Sequence, residues 1–577
     1  MIVYDNRAET RNGRDAWRET QAQIERLAAA AQPSHDDVVA ALIAFGVYES
    51  AVADALCPLR DEPHPLLARM RTVAESLGQA VVSSMSNDRG GIARAAARAA
   101  HAGAGCADID VPRVSLRVPE GYAYYSLYPE SYAEVAMDWA AHERPDRVLA
   151  LGLRSIGTSL SAVVAGALRR CGVDTTSWTL RPRGHPFDRR VDIADTLAAT
   201  LQAHAGTVLI VDEGPGLSGS SFAAAAAAMA AHGVPDARII FVPSWNPDPS
   251  TFVSAAASTE WRRHRALVPS FDRTRRALRD VGVVPDAARE ISSGTWRDAL
   301  SLPRPWPAVH PQHERRKFLL DGRVARFAGL GAYGNAALRR ATALADAGWS
   351  AGAVGIRRGF LTTTFVRGTP MRQPAESAAF IAHAASYLAW LRLNARSGGE
   401  SAAPIEPLAT MLLTNVREAL GAESLAAAET LVAQASSFSE PAVAIDGRLQ
   451  PHEWLELPNG GWIKTDALDH HRDHFLPGCT DAAWDVAGFI VEWDLASGGQ
   501  SAFVDEYASR SGDREIGRRL PFFMAAYAAF RAGYCAMAAT TLAASEDGAR
   551  FEVLANRYRD ALRVTLRSAQ PAVPSAR

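Results

Sequence analysis

Two adjacent acidic residues, Asp212 and Glu213, stand where an apolar segment meets a run of small residues. The segment 207–211 (Thr-Val-Leu-Ile-Val) is too uniformly apolar to alternate between two environments, which predicts a strand buried on both faces of a parallel sheet. Small residues fill 214–221, and an alanine-rich stretch predicts a helix over 222–232. Because bare backbone amides and a helix N-terminus both attract anions, this stretch predicts a phosphate site.

Three chemical interpretations fit this loop, beside a purely structural turn. The spacing from Gly214 to Ser221 is that of a nucleotide-binding P-loop, but Ser220 stands where that motif requires lysine. The segment 216–220 also approaches a nucleophile elbow with Ser218 as the nucleophile. A serine hydrolase would need a histidine and an acid as partners, and the sequence assigns neither.

The third interpretation uses every residue, because the apolar strand, two acids and small loop resemble the motif of type I phosphoribosyltransferases. The resemblance covers roughly residues 110–255 and implies binding of phosphoribosyl pyrophosphate (PRPP). By it, Asp212 and Glu213 are the catalytic acids that hold the ribose hydroxyls, and Asp212 also binds Mg²⁺. The 5′-phosphate would lie in a cradle made of Gly216, Leu217, Ser218, Gly219 and Ser220. Two departures are a Glu as the second acid, and Gly216 and Leu217 where hydroxyl residues are common.

A second strand, loop and helix arrangement precedes the first. The apolar segment 147–153 leads into a short loop and then an alanine-rich helix that extends to about Arg170. The resemblance implies that this loop binds pyrophosphate through Arg154, Ser155, Ile156 and Gly157. Further on, 181–190 is rich in arginine, and Arg181 and Arg183 are expected either in a mobile loop that closes over PRPP or in a solvated surface loop.

The alternation of strands and helices from 147 to 243 predicts an open parallel sheet with helices on both faces. Right-handed crossovers then bring both loops to the carboxyl edge of the sheet. We therefore expect an α/β fold with a central parallel sheet of phosphoribosyltransferase type. A tyrosine-dense segment, 119–129, precedes this sheet and is interpreted as a loop packed over a domain or as a platform for a flat ring.

The C-terminal part resembles the aminoglycoside phosphotransferase and choline kinase superfamily over about 311–577. Segments 442–455, 461–466 and 480–488 have the order and spacing of its catalytic loop, metal-binding Asp and C-lobe Asp. The resemblance implies an α+β bilobal domain in which Asp466 binds a metal and a nucleotide is a possible ligand. It places Arg448 at the catalytic Asp and Glu453 at the metal-binding Asn, so the catalytic loop is degenerate.

Four more basic residues of this part, an arginine and three histidines, are assigned expected roles. Arg326 falls at the phosphate-contacting lysine of the superfamily, and lysine is rare here, since the chain contains only Lys317 and Lys464. His470, His471 and His474 lie close to Asp466 in sequence and are expected to be solvated rather than metal ligands.

Length and composition set the organisation. With 577 residues the chain is too long to fold around a single hydrophobic core. We expect a helical N-terminal region (1–110), the phosphoribosyltransferase-like domain (111–255), a linker or buttress (256–310) and the kinase-like domain (311–577). A net charge of −2 argues against a general nucleic-acid binder. No apolar run reaches membrane-spanning length, the N-terminus is not a signal peptide, and five scattered cysteines suit a cytoplasmic protein.

The expected function is a phosphoribosyltransferase that uses PRPP and Mg²⁺ to modify an unidentified small-molecule acceptor and releases pyrophosphate. The kinase-like domain would bind or scaffold rather than catalyse. Open alternatives are a non-catalytic sensor of PRPP or a nucleotide, a bifunctional phosphoribosyltransferase and kinase, and a serine hydrolase using Ser218. The sequence leaves the acceptor and the oligomeric state open.

Overall fold

The computed structural model describes residues 1–4, 8–106, 111–216, 218–372, 377–396 and 403–568. Of the predicted site residues, Leu217 lies outside this part of the chain. The described elements form two sheet-containing regions, with an N-terminal group of helices packed against the first.

The N-terminal region consists mainly of long helices, as predicted: α1 (Gly13–Ala29), α2 (His35–Leu56), α3 (Pro65–Met85) and α4 (Arg89–Ala104). Their starts follow capping chemistry, since Asn12 caps α1 and Ser34 forms a capping box with Asp37 at α2. One strand, β1 (Ala8–Asn12), pairs antiparallel with β2 (Arg113–Arg117) across the predicted boundary at 110. The region is therefore tied to the next one by backbone hydrogen bonds.

A five-stranded, fully parallel sheet of order β4-β3-β7-β8-β9 follows. The strands are β3 (Arg147–Leu153), β4 (Asp174–Leu180), β7 (Thr207–Val211), β8 (Ile239–Val242) and β9 (Arg265–Ala266), with a separate hairpin of β5 (Arg183–His185) and β6 (Asp188–Arg190). The helices are α5 (Glu120–Ala123), α6 (Pro129–Glu143), α7 (Gly157–Arg170), α8 (Asp195–Ala203), α9 (Ser220–Ala231) and α10 (Ala255–Arg263). The predicted parallel α/β architecture is confirmed, while its assignment to the phosphoribosyltransferase type stays a prediction.

The segment 256–310 completes both sheets instead of only linking them. Its strand β9 is the edge of the parallel sheet, and β10 (Arg289–Glu290) is the edge of a second, antiparallel sheet. Two helices, α11 (Phe271–Asp280) and α12 (Trp296–Ala299), belong to the same segment. The two sheets thus share one stretch of chain at their edges.

The C-terminal region is α+β, as expected, with a five-stranded sheet of order β10-β11-β12-β14-β13. Its further strands are β11 (Lys317–Leu320), β12 (Arg323–Phe327), β13 (Ala353–Arg357), β14 (Phe360–Thr364), β15 (Thr369–Pro370), β16 (Trp454–Glu456) and β17 (Trp462–Lys464). The helices are α13 (Ala332–Asp346), α14 (Ala378–Asn394), α15 (Glu406–Leu420), α16 (Leu425–Ala435), α17 (Ala483–Trp493), α18 (Ser497–Ser511), α19 (Ile516–Thr541) and α20 (Glu546–Ser568). The predicted hairpin turns at Asp321-Gly322, where Gly322 has a φ of +62°.

The expectation that no segment is long and apolar enough to span a membrane is wrong for two helices. By length and composition, α2 and α19 pass that criterion. Most of α2 packs inside the N-terminal core and most of α19 inside the C-terminal core. Core helices of this kind are apolar because protein surrounds them, so the finding is weak support for a membrane location.

Candidate functional site

The acid pair lies where predicted, directly after β7 at the carboxyl edge of the parallel sheet. The carboxylate of Asp212 lies beside the backbone N–H groups of Glu213 and Gly157, which stabilise its charge. Burial raises the pKa of Asp212 to about 7 against this stabilisation. A Cβ atom at Gly157 would lie 2.5 Å from the carbonyl oxygen of Val211, so only glycine allows this approach. The structure thus brings the loops after β3 and β7 together.

Glu213 is covered by the tyrosine-dense segment. The N–H of Gly121 donates to Oε2 of Glu213 at 2.6 Å, and the hydroxyl of Tyr132 donates to the carbonyl of Asp212 at 2.9 Å. Burial, with Glu120 and Asp212 nearby, raises the pKa of Glu213 well above its usual range. Of the two interpretations of this segment, packing over a domain is the one observed.

The small-residue loop leads into α9 through Gly219, which has a φ of +62°. The hydroxyls of Ser218 and Ser220 are 3.0 Å apart, and the Ser220 hydroxyl donates to the carbonyl of Pro186 at 2.6 Å. Pro186 lies in the turn of the β5–β6 hairpin, so the predicted basic loop contacts the predicted phosphate loop. Within the described ranges Ser218 has no histidine or acid among its hydrogen-bond partners, which leaves the hydrolase interpretation without a triad.

The predicted anion-binding arginines are placed differently from the expectation. The Arg154 side chain is only 2% exposed; its guanidinium pairs with Asp54 at 3.0 Å and also contacts Asp61. Arg181 donates to Asp54 and to the Arg154 carbonyl, and Arg183 pairs with Asp61 at 3.0 Å. These arginines therefore carry internal ion pairs instead of a free charge for pyrophosphate.

Asp54 and Asp61 come from the N-terminal region, in which the sequence showed no catalytic constellation. Nothing in their sequence spacing identifies them, because their arginine partners lie more than 90 positions away along the chain. The loop they support is strained at Ser155, a non-glycine residue with a φ of 139°. Ile156 is buried and precedes Gly157, the first residue of α7.

The second candidate site is the loop that precedes β16 in the C-terminal region. The buried carboxylate of Asp446 accepts a hydrogen bond from the hydroxyl of Tyr387 at 2.7 Å. Asp485 in turn accepts the N–H groups of Asp446 at 2.7 Å and Gly447 at 2.9 Å, which fixes the loop. Because β16 also pairs with β17, the three segments that carried the kinase-like resemblance are in contact.

Lys464, which the sequence analysis did not select, is a central residue of this site. The residue is 1% exposed, and its ammonium lies 3.4 Å from Asp446, 3.9 Å from Glu453 and 2.7 Å from the Asp466 carbonyl. Burial would raise the pKa of Asp446, but Lys464 and His470 lower it. The rarity of lysine in this chain is the sequence feature that could have identified Lys464 as a site residue.

Asp466, the predicted metal ligand, is paired with protein cations. The Arg326 guanidinium lies 3.4 Å from Asp466 and 2.7 Å from Asp469, and Nε2 of His470 lies 3.6 Å from Asp466. His470 is buried, which corrects the expectation of a solvated histidine. One ligand atom each from Asp466, Asp469 and His470 lie within 4.8 Å of one another, a spacing compatible with a metal ion.

Arg448 is the largest departure from phosphotransfer chemistry. Its backbone N–H donates to Asp446 at 3.2 Å, while its guanidinium has no ion pair or hydrogen bond among the residues that the structure describes. Burial lowers its pKa, but the nearby carboxylates of Asp473, Glu453 and Asp466 outweigh burial and raise it. A guanidinium that stays protonated cannot accept a hydroxyl proton.

The molecule is a mixed α/β protein with two acid-containing sites, one at the edge of a parallel sheet and one in an α+β region. No known protein family and no curated protein matches the chain. Among solved structures, it is similar to choline kinase LicA from Streptococcus pneumoniae at 13% identity and a TM-score of 0.35, over 52% of this chain and 99% of that one.

Two further solved structures give similar values. A choline/ethanolamine kinase family protein from Mesorhizobium loti is 13% identical, with a TM-score of 0.35 over 52% of this chain and 98% of that one. Macrolide 2'-phosphotransferase MphH from Brachybacterium faecium is 14% identical, with a TM-score of 0.33 over 50% and 98%. About half of the chain thus has kinase-like neighbours, and these comparisons give no support for a phosphoribosyltransferase domain.

Proposed function

We propose that the parallel-sheet region binds PRPP with Mg²⁺ and transfers the phosphoribosyl group to a small-molecule acceptor. The bond from C1′ to the pyrophosphate oxygen breaks, a bond from C1′ to the acceptor forms, and pyrophosphate leaves. One observation carries the proposal: the loops after β3 and β7 meet where the Asp212 carboxylate lies beside Gly157, at one end of adjacent parallel strands. Ligands bind at this edge of open parallel sheets.

The residues fit the expected ligands in kind. Asp212 and Glu213 supply carboxylate oxygens, the ligand type that Mg²⁺ prefers, and Mg²⁺ would neutralise charge on the pyrophosphate. The N-terminus of α9, entered through Gly219, offers backbone N–H groups to a phosphate, of which that of Ser220 donates to the Ser218 hydroxyl at 3.3 Å. The hairpin contact at Pro186 supports a role for β5–β6 in covering the site, with Arg181 and Arg183 at its base.

Calorimetry on the full chain tests the proposal. The double variant Asp212→Asn, Glu213→Gln keeps the shape of both side chains and removes their charges. It should weaken PRPP binding in the presence of Mg²⁺ by at least about tenfold, a loss of roughly 1.4 kcal/mol. Asp195→Asn, at an exposed position on α8, is the matched control and should bind as the wild type does. Unchanged binding in the double variant would overturn the assignment.

A non-catalytic PRPP sensor is a second candidate, favoured by one observation. Arg154, Arg181 and Arg183 are each ion-paired with Asp54 or Asp61, so each guanidinium of this set already has a carboxylate partner other than a departing pyrophosphate. Pyrophosphate release distinguishes the two functions. An enzyme releases pyrophosphate from PRPP with a suitable acceptor, whereas a sensor binds PRPP and leaves it intact with purine, pyrimidine and small heterocyclic acceptors.

For the C-terminal region we propose a binding or scaffolding function without phosphotransfer. Arg448 occupies the expected position of the proton acceptor, and Lys464 and Arg326 are already ion-paired with the neighbouring carboxylates. This internal pairing competes with a divalent cation for the same carboxylate oxygens.

A further inference from the structure

The start of α7 is held between the N-terminal helices and the acid pair. A Cβ atom at Gly46 of α2 would lie 2.8 Å from Cβ of Ser159, so glycine permits a close approach of the two helices here. Gly157, two positions earlier in α7, lies beside the Asp212 carboxylate. Residues two positions apart point to nearly opposite sides of a helix, so α2 and Asp212 flank α7 from opposite sides.

Two polar side chains of the N-terminal helices hold carbonyl groups at this place. The hydroxyl of Ser50 in α2 donates to the Ser155 carbonyl at 3.2 Å and lies 2.7 Å from the Thr158 hydroxyl. Both Nη atoms of Arg71 in α3 donate to the Thr158 carbonyl at 3.0 Å. Ser50 is 7% and Arg71 8% exposed, and Arg71 also pairs with Glu49 at 3.4 Å. These contacts are therefore shielded from water.

The direction of the Ser155 carbonyl decides where the next N–H group points. In a trans peptide the C=O and the following N–H point in opposite directions, so a Ser155 carbonyl held toward α2 turns the N–H of Ile156 away from α2. Among the residues that the structure describes, the N–H groups of Ser155 and Ile156 have no acceptor. The guanidinium of Arg154 is engaged with Asp54 and Asp61. Backbone N–H groups are therefore the donors that this loop keeps available for an anion.

We propose that Ser50 and Arg71 are positioning residues for the pyrophosphate of PRPP. By holding carbonyl groups toward the N-terminal helices, they make the loop after β3 present its N–H groups to the ligand. The φ of Ser155, 139°, is unfavourable for a residue other than glycine, and the Ser50 hydrogen bond holds this conformation. The inference rests on the proposed PRPP binding and adds the N-terminal region to that site.

Calorimetry on the full chain with PRPP, pyrophosphate and ribose 5-phosphate, each with Mg²⁺, tests the role of Ser50. Ser50→Ala should weaken the binding of PRPP and pyrophosphate about fivefold, the usual contribution of one hydrogen bond. Ribose 5-phosphate has no pyrophosphate group, so its affinity should stay unchanged. Ser76→Ala is the matched control, because Ser76 is also a buried helical serine, but its acceptor is the Thr72 carbonyl within α3.

A second set of variants tests Arg71. The double variant Glu49→Gln, Arg71→Met removes the buried ion pair as a whole, so that neither charge is left buried alone. It should weaken pyrophosphate more than ribose 5-phosphate, and Arg71→Lys, which keeps a donor for the loop carbonyl, should lose less. The matched control is Glu75→Gln, Arg169→Met. Arg169 donates through two nitrogens to the Thr175 carbonyl at 3.0 and 2.8 Å and pairs with Glu75 at 2.8 Å, but at the opposite end of α7.

The outcomes separate this inference from the proposed function. If the wild type binds neither PRPP nor pyrophosphate at millimolar concentration, the proposed function is wrong and the inference is wrong with it. If the wild type binds both and Ser50→Ala binds them equally well, only the inference is wrong. An equal loss for all three ligands, with a lower midpoint of thermal unfolding, would show that Ser50 supports the fold without orienting the loop, which also overturns it. Unchanged pyrophosphate affinity in the Glu49→Gln, Arg71→Met variant would contradict the role of Arg71.

Discussion

Gly121 donates its backbone N–H to the Glu213 carboxylate at 2.6 Å, and this bond joins the tyrosine-dense segment to the acid pair. Three residues further on, the ring of Tyr124 lies under the Arg315 guanidinium at 4.2 Å and stacks on His474 at 5.3 Å. Its hydroxyl also donates to the carbonyl of Arg472. One short segment therefore contacts both the acid pair and Arg315, which lies 3.5 Å from Asp469 of the C-terminal site.

The first prediction is that loosening this segment at its C-terminal anchor disturbs the acid pair. Tyr124→Ala removes a cation–π contact and a ring stack, each worth about 0.5–1.5 kcal/mol. We expect faster hydrogen exchange across 119–129 and PRPP binding weakened several-fold, both measured on the full chain. Phe438→Ala, which removes a cation–π contact with Arg518 at 5.8 Å and a ring contact with Phe522 in the C-terminal region, is the control for loss of an aromatic ring. Faster exchange with unaltered PRPP affinity would mean that the segment covers the acids without supporting them.

The second prediction concerns pH. Burial raises the pKa of Asp212 to about 7, so the native protein holds a proton that the unfolded chain releases near pH 4. Between these values the native state binds more protons, and the contribution of Asp212 to the free energy of unfolding falls as pH rises. Binding of Mg²⁺ and PRPP needs the carboxylate, so affinity should increase by about tenfold from pH 6 to pH 8.

The comparison of wild type with Asp212→Asn isolates that group. The asparagine variant cannot titrate, so its stability should depend less on pH between about 4 and 7, as followed by thermal unfolding. Other buried acids, including Glu49 and Glu130, also have a pKa raised to about 7, and they affect both proteins equally. Parallel stability curves for the two proteins would show that Asp212 titrates normally.

The third prediction tests the arginine network. The Asp61 side chain is 2% exposed and binds Arg154 and Arg183, whereas that of Asp54 is 31% exposed. Removing one charge of a buried pair costs about 3–5 kcal/mol, and of an exposed pair about 1 kcal/mol or less. Asp61→Asn should therefore lower the urea midpoint of the parallel-sheet region much more than Asp54→Asn. Equal midpoints would mean that water reaches the Arg154 pair freely.

Local patterns were sufficient for the main elements of the fold. The uninterrupted apolar runs ending at Leu153 and Val211 predict buried parallel strands because both faces of such strands are covered. The Asp321-Gly322 pair predicts its hairpin because the turn requires a positive φ. By contrast, β9 and β10 have two residues each, too few to show any periodicity.

Site residues were predictable from the sequence only where a single segment contains all of them. Asp212 and Glu213 follow their strand directly, but the partners of Arg154 are set by the packing of the N-terminal helices on the sheet. Lys464 likewise becomes meaningful once the fold places its ammonium beside Asp446. The periodicity of apolar residues indicates which face of a helix or strand is buried. It does not indicate which residue from a distant part of the chain contacts that face.

The last prediction is that the full chain has no ordinary small-molecule kinase activity. Phosphoryl transfer requires a group that accepts the substrate hydroxyl proton and anionic ligands for magnesium. Arg448 cannot accept the proton, and Asp466 is paired with Arg326 while Asp446 is paired with Lys464. A screen of ATP turnover with sugars, amino alcohols and nucleosides should give no magnesium-dependent transfer. The matched variant Arg448→Asp restores an acid at this position and should remain inactive, because Lys464 still occupies the space between the carboxylates. Transfer that is abolished by Asp466→Ala and indifferent to Arg448→Ala would show that another residue serves as the base, and the non-catalytic assignment would then be wrong.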